Sequence, residues 1–250
     1  MSNAPRVAVF RPDDERIEDA VDVLESLGAE PVADPMLAIE PTGAVPADAS
    51  YVVVTSKTGV ELAADAGWAP GDATLAAIGP ATAKAARDAG WTVDIVPDEY
   101  TSTGLVATLS DRVEGESVEV ARSDHGSEVL LDGLTEAGAD VTETVLYRLT
   151  RPTGAGDSAI AAAEGELDAV AFTSSLTVAH FVEAAAERGV RDAALAGLAE
   201  AVVGVIGPPT AETAAEYGIE VDVAPDEAAF DTLATAVVDA AIPSESGDPV

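Results

Sequence analysis

Short apolar runs alternate along this chain with segments whose apolar residues recur every three or four positions. That alternation predicts strands separated by helices, the pattern of parallel sheets. Residues 6–10 read as a buried strand, and the helix after it, 14–27, ends at Gly28, the residue best suited to a left-handed cap. Residues 30–37 form a second strand, which Pro31 and Pro35 make either leave the sheet early or run along an edge. Residues 39–48, with Pro41, Gly43 and Pro46, read as a connector. Strands are predicted at 51–54, 75–78, 93–96 and 117–121, and helices at 80–89, 101–113 and 127–137, with another opening after Thr55-Ser56. Residues 140–151 are long for one strand, so 147–151 are expected to leave the sheet as a second connector. Thereafter come helices at 157–164, 176–188, 208–217 and 227–240, strands at 169–172, 202–206 and 221–223, and a frayed polar tail at 242–250.

Part of this pattern occurs twice. Ile78-Gly79-Pro80-Ala81-Thr82-Ala83 returns as Ile206-Gly207-Pro208-Pro209-Thr210-Ala211. Val93-Asp94 and Pro97-Asp98-Glu99 return as Val221-Asp222 and Pro225-Asp226-Glu227 at the same offset. Upstream, Val53-Val54-Thr55-Ser56 corresponds to Ala171-Phe172-Thr173-Ser174. The stretch from 51 to 145 supplies five strands, whereas 168 onward supplies three. Strands 6–10 and 30–37 complete the second set. The expected organisation is a discontinuous α/β domain, 1–37 with 150–250, and an inserted domain, 42–146, joined by linkers at about 37–41 and 147–151. The fold class is α/β: two similar open parallel five-stranded sheets with flanking helices, a duplicated flavodoxin-like arrangement joined by a two-stranded linker. Ligands of such sheets bind beyond the carboxyl ends of the strands, so a shared site is expected where the two domains face each other.

Charge narrows the partners. The chain has 46 acidic and 12 basic residues, a formal charge of −34. Such a surface repels nucleic acid and anionic membrane and reads as salt-adapted (halophilic), on a monomeric cytoplasmic protein. With no cysteine there is no thiolate chemistry or disulfide framework. Residues 1–5 carry no secretory pattern, and the most apolar run, 193–206, is broken by Glu200 and Gly207-Pro208-Pro209.

The two Thr-Ser pairs and two Gly-Pro-x-Thr turns place hydroxyls and N–H groups at four helix starts, where anions are favoured. Simple helix capping explains any one of them; four at matching points favour anion binding. The candidates are Thr55, Ser56, Gly79 and Thr82 in one copy and Thr173, Ser174, Gly207 and Thr210 in the other. Tyr147, flanked by Arg148 and Arg151, reads either as an interdomain plug or as a phenol donor facing the ligand. Arg11, Lys57 and Arg122 also sit at strand ends, as cations for an acidic ligand. Gly154-Ala155-Gly156-Asp157-Ser158 resembles a dinucleotide loop but follows no sheet strand, and His125 and His180 have no partners at metal-ligand spacing. No cofactor or metal is expected.

The strand-end Thr-Ser motifs, the two Ile-Gly-Pro-x-Thr-Ala motifs, Gly138-Ala139-Asp140-Val141 leading to Val145, Tyr147 and Arg148, and Arg11-Pro12 together resemble the uroporphyrinogen-III synthase family over about residues 6–240. The resemblance implies two α/β domains on a two-stranded linker and no cofactor. It also implies a small-molecule substrate, hydroxymethylbilane, closed to uroporphyrinogen III with inversion of the last ring and loss of water. Tyr147 matches the family's proposed acid; backbone N–H groups and the hydroxyls above would hold the substrate carboxylates. The chain departs at Ser127, where many members carry a basic residue. The alternative is a two-lobed intracellular binding or sensor protein for an anionic small molecule.

Overall fold

A computed structural model describes residues 4–242. The expected tail lies outside them from residue 243 onward. The chain divides into two compact units: Ile39–Leu149, and the described residues on either side of it.

In chain order, β1 (Arg6–Phe10), α1 (Glu15–Ser26) and β2 (Glu30–Ala33) lead to β3 (Ala38–Pro41) at the crossing into the inserted unit. That unit continues with β4 (Tyr51–Val54), α2 (Lys57–Asp65), β5 (Thr74–Ala77), α3 (Pro80–Asp88) and α4 (Ser102–Leu109). It closes with β6 (Ser117–Ser123), α5 (Glu128–Glu136) and β7 (Asp140–Thr150). The chain then returns through α6 (Asp157–Ala163), β8 (Ala169–Phe172), α7 (Ser175–Glu187) and α8 (Arg191–Leu198). Last come β9 (Val202–Val205), α9 (Pro208–Glu216) and α10 (Phe230–Ala241). No described helix is long and apolar enough to cross a membrane.

The discontinuous unit has a four-stranded sheet ordered β2-β1-β8-β9, and the inserted unit a five-stranded sheet ordered β3-β7-β6-β4-β5. Beyond β9, Val223 makes a single parallel bridge to Gly204; beyond β5, Ile95 makes the same bridge to Ala76. Four positions correspond in order, β2-β1-β8-β9 against β7-β6-β4-β5, and β3 has no counterpart in the four-stranded sheet.

The expected strands 93–96 and 221–223 are thus corrected to single bridges, and the cause is the same in both copies. Asp94 Oδ2 accepts from Leu75 N at 2.9 Å, and Asp222 Oδ2 accepts from Val203 N at 2.8 Å. A side-chain carboxylate takes the donor that a neighbouring backbone carbonyl would otherwise occupy, so the ladder stops after one rung. A second correction concerns the connectors. Residues 38–41 form β3, and β7 runs unbroken through Tyr147 to Thr150. Thr42 holds this strand: its N–H donates to Leu146 O at 3.0 Å and its hydroxyl to Val145 O at 2.7 Å. Helix α8, at 191–198, overlaps the apolar run at 193–206, where the pattern predicts no helix.

Strand alternation sorts side chains into two core layers per sheet. In the discontinuous unit, Ala8, Phe10, Val170 and Phe172 face one layer, and Val7, Val9, Ala169 and Ala171 the other. Phe10 and Phe172 stack at 4.7 Å between ring centroids. In the inserted unit, Val52, Val54, Leu75 and Ala77 face one layer, and Val53, Ala76, Val118 and Val120 the other.

Candidate functional site

The carboxyl ends of β4, β6 and β7 meet at a cavity of ≈ 230 Å³ in the inserted unit. Of the residues singled out in the sequence, Thr55, Ser56, Arg122 and Tyr147 line it, together with Ile78, Ser102, Ser123, His125, Gly126, Ser127 and Leu130. Ser56 caps α2, its Oγ accepting from Gly59 N at 2.9 Å. Tyr147 is only 7% exposed and donates its phenolic O–H to the same Ser56 Oγ at 3.0 Å. A parallel register shift at Arg122/Ser123 brings Tyr147 opposite Ser123.

Arg122 is buried and committed to its own unit. It donates Nε to Glu143, Nη1 to the Ser127 carbonyl at 2.6 Å and Nη2 to Glu128 at 2.9 Å. Burial works against its charge, but the bonds to Glu143 and Glu128 outweigh that and hold the guanidinium above its ordinary pKa. Gly126 is required beside it, because a Cβ there would lie 2.4 Å from Arg122 Cδ. Ser127, the departure noted above, caps α5 through its hydroxyl and receives Arg122 on its carbonyl.

His125, which has no partners at metal-ligand spacing, pairs instead with its chain neighbour. Its Nδ1 lies 2.8 Å from Asp124 Oδ1, and its ring lines the cavity. Asp124 Oδ1 also accepts from Leu149 N at 3.0 Å, and Asp124 N donates to Tyr147 O at 3.2 Å. Partial burial raises the Asp124 pKa, but His125 and Leu149 N–H more than reverse this and leave it below the usual carboxylate value. The sequence signal for this pair is the adjacent Asp124, just past a strand end.

The remaining candidates lie elsewhere. Lys57 is exposed and pairs with Glu61 at 3.4 Å along α2. Gly79 caps α3 without a side-chain bond, leaving the N–H groups of Ala81 and Thr82 uncapped by any side chain, and Thr82 is buried in that first turn. In the discontinuous unit, Thr173 donates its hydroxyl to Phe10 O, and Ser174 forms a capping box with Thr177 on α7. Gly207 opens α9, where Pro208 and Pro209 remove two donors, Thr210 N bonds back to Gly207 O at 3.1 Å and the Thr210 side chain is buried. Arg11 rests 5.0 Å above the Phe230 ring, with a buried Nε that has no hydrogen-bond partner. Burial and then the nearby Arg16 depress its pKa.

The glycine-rich loop at 154–158 is also explained. Asp34, 5% exposed, accepts from Gly156 N at 2.9 Å, Ser158 N at 2.9 Å and the Ser158 hydroxyl. The start of α6 is filled by the chain's own carboxylate, which leaves no place for a phosphate. His180 is buried with Nδ1 on the Met36 carbonyl. Among the described residues no group of three or more His, Cys, Asp or Glu side chains could hold a metal ion.

Two α/β units with parallel sheets and flanking helices, one holding a polar cavity at its strand ends, define a two-domain α/β protein. Its particular kind follows from its relatives. The family model described as Uroporphyrinogen-III synthase HemD matches residues 18–235, and the chain belongs to the uroporphyrinogen-III synthase family. A relative from Methanothermobacter thermautotrophicus is 34% identical over 230 residues, 85% of this chain and 90% of its own length. The uroporphyrinogen-III synthase of Synechococcus elongatus is 29% identical over 233 residues, 86% of this chain and 87% of its own. A mutant uroporphyrinogen III synthase from Thermus thermophilus shares the fold, with a TM-score of 0.71 at 21% identity over 96% of this chain and 99% of that one.

Proposed function

We propose that this chain acts as a uroporphyrinogen-III synthase on hydroxymethylbilane, a linear tetrapyrrole bearing eight carboxylates. It closes the chain with loss of water and inversion of the last ring. The observation that carries this reading is Tyr147, a largely buried phenol bonded to Ser56 within a polar cavity, in a chain of this family. Loss of the hydroxymethyl oxygen as water needs an acid, and leaves a reactive azafulvene. Closure at the substituted carbon of the last ring then gives a spiro intermediate that fragments and recloses. The bilane also closes unaided to the uninverted isomer, so most of the protein's task is to hold the chain curled and exclude the easier route.

Helix starts supply the carboxylate contacts in this reading: Thr55, Ser56, Gly79 and Thr82 in the inserted unit, and Thr173, Ser174, Gly207 and Thr210 in the other. The uncapped first turn of α3 supports the role of Gly79 most directly. Arg11, with its free Nε, is better suited to receive a carboxylate than Arg122, whose guanidinium is taken by Glu143, Glu128 and Ser127. The duplicated five-position sheet belongs to the same reading; the matching strand orders and the paired Asp94 and Asp222 contacts support it.

Incubation with freshly made hydroxymethylbilane, followed by separation of the isomers, tests the proposal. The type III isomer, formed faster than spontaneous closure, is expected. Type I alone at the spontaneous rate would favour the two-lobed binding protein.

A further inference from the structure

The Tyr147 hydroxyl does not stand free in its cavity. It donates to Ser56 Oγ at 3.0 Å, and the same oxygen accepts from Gly59 N at 2.9 Å. A serine oxygen that receives two hydrogens has one direction left for its own. Tyr147 is packed among Val54, Val60 and Leu146 and is 7% exposed, whereas Ser56 is half-buried at the open end of β4 and lines the cavity. Both residues line the cavity, and of the two the serine is the more exposed.

We propose that Ser56 is the group that protonates the leaving oxygen of the substrate, with Tyr147 acting through it as the proton reservoir. This rests on the synthase reading above and changes which side chain touches the reacting atoms. The C–O bond of the hydroxymethyl group breaks with its electron pair on oxygen, and the pyrrole nitrogen lone pair fills the vacancy at carbon. The oxygen takes the Ser56 hydrogen and leaves as water, Ser56 takes the phenolic hydrogen, and Tyr147 is left as phenolate. Closure of the macrocycle forms a C–C bond and releases one proton from the last ring, which returns through Ser56 to Tyr147. No proton is gained or lost over the cycle. The amide of Gly59 serves both directions, since it steadies Ser56 Oγ whichever hydrogen that oxygen carries.

The test is turnover of hydroxymethylbilane by the full chain and its variants, with isomer separation and a proton inventory in mixed light and heavy water. Tyr147→Phe and Ser56→Ala should each lower kcat by about a hundred- to ten-thousandfold. Their combination should fall no lower than the worse single variant, because one relay is lost once, and Ser56→Thr should keep most of the activity. Thr101→Ala removes an equivalent helix cap on α4 and should leave kcat within about twofold. The wild-type inventory should be bowed, as two hydrogens in flight require; a serine that only steadies the tyrosine would leave it linear. Ser56→Ala within about threefold of wild type, multiplicative losses, or a linear inventory would each overturn the relay while type III formation still upheld the synthase reading. Should Ser56→Ala fail to fold, the wild-type inventory decides alone. Wild-type protein that made only type I would overturn both.

Discussion

Asp34 shows how a single carboxylate can settle what a glycine-rich loop is for. It lies on a different stretch of chain from the helix it caps, and it gives two backbone N–H groups and one hydroxyl their acceptor in a buried place. Asp34→Ala would leave those donors unpaired, which costs about 1–3 kcal/mol. A thermal melt should fall by several degrees, with Asp34→Asn falling less because one acceptor oxygen survives; equal melts for Asp34→Ala and wild type would show that water replaces the carboxylate without loss. The sequence displays the loop but not its occupant, since 122 positions separate Asp34 from Gly156. Glu119 is similarly hidden. It reads as one polar position in an apolar strand, yet it is fully buried, bonded by the Thr142 hydroxyl and with one oxygen unpartnered. What was legible is the residue whose role is local: Ser56 and Ser174 follow from the preference of hydroxyls for helix starts. What was not legible is which cations are already spoken for, because Glu143 and Glu128 reach Arg122 only once β7 and α5 are folded beside it.

Among the secondary-structure elements, the apolar runs that end in Thr-Ser or Gly-Pro were readable because they combine a strand core with a helix start. The short outer strands were not, since Asp94 and Asp222 look like surface acids until their carboxylates are seen on the N–H groups of Leu75 and Val203. Helix α8 was missed for a related reason. It packs so closely on α6 that its sequence lacks a broad apolar stripe, and small residues make the contact instead. A Cβ on Gly197 would lie 1.8 Å from the Ala162 carbonyl oxygen. Gly197→Ala must therefore push α8 away from α6, and overpacking of this kind costs about 1–3 kcal/mol or more. Calorimetry should show a melting temperature lowered by roughly 2–8 °C. A melt unchanged within a degree would mean that the two backbones can separate freely.

The charge of −34 is a property of the complete chain and acts on it as such. At least seven of the 12 basic residues already stand in ion pairs: Arg6, Arg16, Lys57, Lys84, Arg122, Arg151 and Arg188. With 46 acids against 12 cations the carboxylates far outnumber their possible partners, and their mutual repulsion opposes compaction. Dissolved salt supplies what the sequence omits. The screening length falls from about 10 Å at 0.1 M to about 3 Å at 1 M. Relief of a few kcal/mol in a chain of this size raises the melting temperature by roughly 10 °C. The melt in potassium chloride should therefore climb steeply from dilute buffer and flatten once screening is complete, by roughly 0.5 M. Ion exclusion from apolar surface behaves differently, since it grows steadily with concentration and continues past that point. A melt that stays flat from dilute to molar salt, or one that rises only above about 1 M, would show that self-repulsion among the carboxylates does not limit this fold.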